Sequence, residues 1–145
     1  MKILEATQKD SHVLAKMATK IWENQNEDEL EEEFKAILQS DEETCFIAFV
    51  KDMPVGFANV SLRFDYVEGT ESSPVGYLEG IFVEENYRKQ NIAKNLVKSC
   101  EDWAKKIGCT EFASDCLLDN TKSLKFHLAV GFIEANRIIC FKKDL

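Results

Sequence analysis

The 145-residue chain has only two prolines, six glycines and two histidines, too few for a linker, a low-complexity tract or a histidine-rich metal site. No apolar run approaches the length of a membrane span. The opening MKILEATQKD lacks both a continuous apolar core and a small-residue cleavage site, so no signal peptide is expected. The five cysteines, Cys45, Cys100, Cys109, Cys116 and Cys140, are odd in number, and no pair has zinc-knuckle spacing. Three of them lie in apolar, strand-like runs, where a reduced cysteine behaves as a small hydrophobe. The expectation is a cytoplasmic protein without disulfides, metal or membrane association.

Positive charge is also in deficit. Eighteen Lys and Arg stand against 26 Asp and Glu, a net charge of −8. Such a surface repels phosphate backbones, which argues against a nucleic-acid partner and favours a cationic substrate. Solubility is the plainer explanation, and charge alone favours it. Hydrophobic residues at 45% and charged residues at 30% are the balance of a globular protein, and the length suits one domain spanning residues 1–145.

Lys2 to Ala6 reads as a first strand. Asp10-Ser11 offers a helix N-cap, and Val13, Leu14, Met17, Ala18, Ile21 and Trp22 recur at helical spacing. A second helix begins in the acidic run Glu27–Glu33, whose charges suit a helix N-terminus, and continues through Phe34, Ile37 and Leu38. Thr44–Val50 and Pro54–Phe64 read as an antiparallel pair, Val67–Pro74 as a loop, and Val75–Val83 as a strand. A helix follows from Ile92 to Ile107, closing at Gly108. Then come a strand over Thr110–Asp115, a helix over Asn120–Val130, and a closing strand or strand pair over Phe132–Phe141. This mixed order predicts an α/β sheet with helices on both faces.

The segment Tyr77–Ala104 carries the most chemistry. A hydrophobic strand ends at Val83, and a short loop with Arg88 and Lys89 feeds straight into an amphipathic helix. The first N–H groups of a helix lack internal partners and the dipole is positive there, so this end suits a phosphate-bearing cofactor. The segment resembles the acetyl-CoA-binding motif of the GNAT acetyltransferases, Gln/Arg-x-x-Gly-x-Gly/Ala. Arg88 and Ala93 keep the pattern, while Asn91 replaces the usual Gly; Asn tolerates the left-handed backbone such a turn needs. The run from Ser123 to Phe132 resembles the family's closing helix, with His127 where a Tyr general acid is frequent.

The resemblance implies a mostly antiparallel mixed sheet whose fourth and fifth strands are parallel and splay apart. It further implies that backbone groups of Ile81, Phe82 and Val83 pair with the pantetheine arm, an N–H near Val83 polarising the thioester carbonyl. Amides from Arg88 through Lys89, Gln90, Asn91, Ile92 and Ala93 to Lys94 would take the pyrophosphate, and Asn120 would contact CoA. His127 would protonate the departing thiolate.

An ammonium must lose a proton before it can attack a thioester, and a nearby carboxylate can hold it and relay that proton. Glu79 on the fourth strand and Asp115 at the end of the fifth are the candidates. An exposed edge position for Glu79 and a turn cap for Asp115 are the plainer alternatives. The runs Leu62–Thr70, Ser73–Val83 and Cys109–Asp115 resemble bacterial aminoglycoside 6'-N-acetyltransferases, which implies Trp22, Tyr66, Glu79 and Asp115 as substrate contacts. Core packing explains Trp22 equally well. A further acidic contact of that subfamily is missing, because Asn136 stands there and Glu134 is two positions away. The expected activity is acetyl transfer from acetyl-CoA to an aminoglycoside 6'-amine by a homodimer. A polyamine or protein amine as acceptor, or a CoA-binding module without catalysis, are the competing readings.

Overall fold

Glu43–Val50 and Met53–Arg63 are largely apolar runs on either side of Lys51 and Asp52, both with positive φ, and so close into a hairpin of strands β2 and β3. The computed structural model describes residues 1–145. Strand β1 is Lys2–Glu5, followed by helices α1, Ser11–Ala18, and α2, Glu27–Gln39, before the hairpin. Strand β4 is Val75–Val83, helix α3 is Ile92–Ile107, strand β5 is Phe112–Ala113 and helix α4 is Thr121–Ala129. The sheet runs in the order β1-β2-β3-β4-β5. Every pairing is antiparallel except β4 with β5, which is parallel.

Each face of the sheet is covered by helices, as the sequence predicts. Leu14 and Met17 of α1 and Leu30 and Phe34 of α2 pack on Cys45, Ile47, Phe57 and Phe82. On the other face Ile92, Leu96, Val97 and Cys100, spaced as one stripe of α3, pack on Ala48, Ala58, Val60, Leu78 and Val83. Burial pushes the Cys45 and Cys100 thiols well up, which keeps these side chains inert core members. Asp10 adjoins α1 but does not cap it; its carboxylate accepts the Thr7 N–H at 2.7 Å and closes the preceding turn.

Two expectations are corrected. Strand β5 covers Phe112–Ala113 rather than Thr110–Asp115, because β4 offers it only Gly76 and Tyr77 as partners. The expected closing strand over Phe132–Phe141 does not form; from 132 to 145 the chain is irregular. Apolar, β-branched sequence makes a strand only against an edge with which it can pair, and the β5 edge is two residues long. Ile133, Ile138, Ile139 and Phe141 are consequently left 86%, 63%, 80% and 90% exposed. The segment is anchored instead at Asn136, whose Nδ2 donates to Glu68 Oε1 at 2.7 Å.

Candidate active site

The site originates in one surplus residue. Asn59 of β3 faces Gly80 while Val60 faces Leu78, so Glu79 has no partner and forms a bulge in β4. Before the bulge, even-numbered residues turn toward β5: the Gly76 N–H donates to Glu111 O at 3.1 Å, and Leu78 O accepts from Ser114 Oγ at 3.2 Å. After it, the parity reverses. The Glu84 N–H donates across to Val55 O at 2.8 Å, so Phe82 and Gly80 bond toward β3 while Ile81 and Val83 turn outward. Strand β5 has already parted from β4 beyond Tyr77, so Ile81 and Val83 face a gap with no strand in it. Val83 O accepts from Arg88 Nε at 2.9 Å; the outward N–H groups of Ile81 and Val83 and the Ile81 carbonyl make no intramolecular hydrogen bond.

Glu79 and Asp115 belong to one polar network. Glu79 Oε1 accepts from Ser61 Oγ at 2.6 Å and from Arg63 Nε at 3.0 Å, and its Oε2 accepts from Arg63 Nη2 at 2.9 Å. The Arg63 guanidinium lies 3.4 Å above the centre of the Tyr77 ring, and the Tyr77 hydroxyl donates to Asp115. Glu79 is thus no exposed edge residue; its side chain retains 27% exposure. Arg63, Tyr77 and Ser61 are absent from the sequence-based assignment. The signal for Ser61 and Arg63 was legible: Asn59, Ser61 and Arg63 form a polar row at every second position of an otherwise apolar strand.

The network opens into a pocket of about 340 Å³ between the segment that follows α1, helix α2 and strands β2 to β4. Glu33, Glu43 and Glu79 line it with Trp22, Gln25 and Asn59. Burial, helped by the charge of Glu79, raises the Glu43 carboxyl above its usual range, although the 3.2 Å hydrogen bond from Asn59 Nδ2 opposes this. Trp22 packs against the core and lies on Gly80, where an added Cβ would come within 2.9 Å of the indole. Core packing and pocket lining therefore both describe Trp22. Tyr66 is 76% exposed on the loop after β3, outside the residues that line this pocket.

At the far end of the gap, Asn91 adopts the left-handed conformation expected of it, with φ 64° and ψ 12°. Lys89 does the same at φ 62°. Asn91 makes no side-chain cap, so the first-turn amides of α3 stay uncovered beside Arg88, Lys89 and Lys94. This is the donor set a pyrophosphate requires, and it lies at the end of the strand edge that Ile81 and Val83 leave bare.

His127 and Asn120 are engaged within the fold. His127 Nδ1 lies 2.7 Å from Ser123 O, an acceptor, and so carries the hydrogen. Its Nε2 lies 2.8 Å from Ser114 Oγ, whose one hydroxyl hydrogen goes either to this nitrogen or to Leu78 O. The Ser114 hydroxyl thus sits between the imidazole and Leu78 O where the strands part, one residue before Asp115 and opposite the residue before Glu79. Proton donation from His127 to a leaving thiolate requires the ring to give up one of these contacts. Asn120 Oδ1 accepts the Ser123 N–H at 3.1 Å as the N-cap of α4, leaving its amide nitrogen free.

Desolvation first, and the hydrogen bond and charge of Asp115 next, push the Tyr77 phenol far above its ordinary value of 10.0. Folding therefore favours the neutral phenol. Its contribution to stability is whole below pH 10.0 and is lost as pH rises toward the raised value in the folded state. Between about pH 8 and pH 11, Tyr77→Phe is expected to lose less urea stability than the wild type. Equal losses would show that Tyr77 has an ordinary phenol. In a spectrophotometric titration, Asp115→Asn should lower the Tyr77 midpoint only in part, since desolvation remains.

The model of the acetyltransferase (GNAT) family matches residues 12–132. An aminoglycoside N(6')-acetyltransferase type 1 of Serratia marcescens is 41% identical over 130 residues, 89% of each chain. The enzyme of the same name from Acinetobacter haemolyticus is 34% identical over 145 residues, all of this chain and 99% of its own. Among solved structures, AAC(6')-Iy in complex with the bisubstrate analog CoA-S-monomethyl-acetylneamine superimposes with a TM-score of 0.95 at 36% identity, over 99% of this chain and 98% of that one. A bare β4 edge, an uncapped α3 terminus and a family match across both lead to one conclusion: the chain belongs to the GNAT acetyltransferase family.

Proposed function

We propose that the protein transfers the acetyl group of acetyl-CoA to the 6'-amine of an aminoglycoside, with residues 1–145 acting as one catalytic domain. The observation that carries this reading is the bulge at Glu79, which sets a carboxylate network and an unpaired backbone edge side by side. Relatives named as aminoglycoside N(6')-acetyltransferases supply the acceptor class.

In this reading Ile81, Phe82 and Val83 hold the pantetheine arm, with hydrogen bonds from the outward groups of Ile81 and Val83. Arg88, Lys89, Gln90, Asn91, Ile92, Ala93 and Lys94 form the pyrophosphate cradle, and the free amide of Asn120 faces CoA. Acetyl-CoA bound there supplies the thioester that the amine attacks. The Val83 N–H polarises the carbonyl under attack. Glu79 and Asp115 hold the acceptor ammonium or the water that takes its proton, and His127 is the donor nearest the parting of the strands. Trp22 and Tyr66 offer flat faces to sugar rings, and the pocket carboxylates Glu33 and Glu43 extend the negative field toward further ammonium groups. We place the activity in the cytoplasm, where acetyl-CoA is at hand; no helix is long and apolar enough to cross a membrane.

The uncovered Ile133, Ile138, Ile139 and Phe141 support a homodimer built through the last segment, with a second copy supplying the missing edge. Light scattering should give twice the chain mass for the wild type and a single chain for Ile139→Asp/Phe141→Asp; a monomeric wild type refutes the dimer.

Acetyl-CoA should raise Tm, because a ligand bound only to the native state stabilises it. Asn91→Val should shrink that rise, since a β-branched residue is strained at φ 64°. An unchanged Tm at saturating acetyl-CoA would remove the cofactor assignment. Glu79→Gln or Asp115→Asn is expected to lower kcat/KM on kanamycin by roughly tenfold to a thousandfold, with acetyl-CoA affinity nearly unchanged. If both variants match the wild type, these carboxylates are not the acceptor site. If the wild type acetylates spermidine or a Lys peptide but not kanamycin, the acceptor class is wrong.

A further inference from the structure

Glu79 is already paired when no substrate is present. An ionised carboxylate offers about four acceptor positions, and three of those on Glu79 are filled, one by Ser61 and two by Arg63. A substrate ammonium therefore finds one position open beside a fixed guanidinium of like charge. Apart from Glu79, Arg63 is held only by the Tyr77 ring, and its side chain keeps 42% exposure. It can thus release Glu79 without leaving the ring, whose hydroxyl is bonded to Asp115.

We propose that Arg63 is an internal counter-cation that occupies Glu79 in the empty enzyme and that the acceptor ammonium exchanges with it. This rests on the acceptor-site reading of Glu79 given above. The exchange explains why the guanidinium is stacked on an aromatic face rather than buried: a cation–π contact holds it by position, with no carboxylate other than Glu79 hydrogen-bonded to it. It also explains Ser61, which keeps Oε1 oriented while Arg63 moves. Arg63 is a positioning and specificity residue in this scheme. The acceptor's affinity is its gain on Glu79 less the loss of the Arg63 clamp, so only acceptors with further ammonium contacts in the pocket bind well.

The test is a double-mutant cycle on kanamycin binding, read by calorimetry without acetyl donor on the wild type, Arg63→Gln, Glu79→Gln and the double variant. A partly exposed ion pair implies that Arg63→Gln tightens Kd by about threefold to tenfold. In the Glu79→Gln background the same change should leave Kd within about twofold, and Arg63→Lys, which keeps the charge but not the two-point fork, should fall between wild type and Arg63→Gln. Unchanged Tm values establish that the variants fold. Weaker or unaltered binding by Arg63→Gln overturns the proposal. Equal tightening in both backgrounds also overturns it, since that is plain charge repulsion without exchange on Glu79. A wild type that does not bind kanamycin refutes the acceptor reading itself, and the exchange with it.

Discussion

One surplus residue in β4 governs the rest of the site. Without the bulge at Glu79, the alternation of β4 would run unbroken, and Ile81 and Val83 would turn their amides into β3 instead of the gap. The same bulge sets Glu79 and Gly80 on the face of Trp22, and returns Ile81 and Val83 to the α3 core. A shift of one position thus separates two tasks on a single strand. Its first half binds strand to strand and carries Tyr77; its second half is a free edge. The early loss of β5 is the complement of this, since an edge is useful only if nothing else pairs with it.

The charge pattern follows the same geometry. Carboxylates gather on the α1–α2 face of the bulge, and basic residues gather at the start of α3, on the other side of the gap. The excess of 26 acidic over 18 basic residues is therefore not spread evenly where it matters. Burial makes the pocket costly to charge, as the raised Glu43 carboxyl shows, and Arg63 is the cation set among these acids. The Ser114 hydroxyl lies at the point of parting, between His127 and Leu78 O, so both carboxylates sit one residue beyond this contact.

Much of this was legible in the sequence because it is local. The bounds of β4 and α3 follow from periodicity and a Gly stop, and the positive φ at Asn91 from the resemblance of its loop to a motif that usually has Gly there. Glu79 stood out as an acid in an apolar run, and Asp115 by its place at the end of the expected fifth strand. What could not be read was pairing. Nothing in Phe132–Phe141 says that its would-be neighbour is two residues long, and nothing in β4 says that Glu79 is the residue skipped by β3. Arg63 and Tyr77 are 14 positions apart and join only through register; the polar row of β3 hinted at the first, while Tyr77 looked like one more core aromatic.

The contact of Trp22 with Gly80 has an optical consequence. The chain has two tryptophans, and the other, Trp103, belongs to α3 on the opposite face of the sheet. Trp22 alone lies on the strand that bears Glu79 and lines the acidic pocket. Its indole emission responds to hydration and to nearby charge, so a cation entering the pocket changes the fluorescence of one residue against the constant background of the other. The protein carries its own reporter of what enters this pocket, and the lack of a side chain at Gly80 is what places it there.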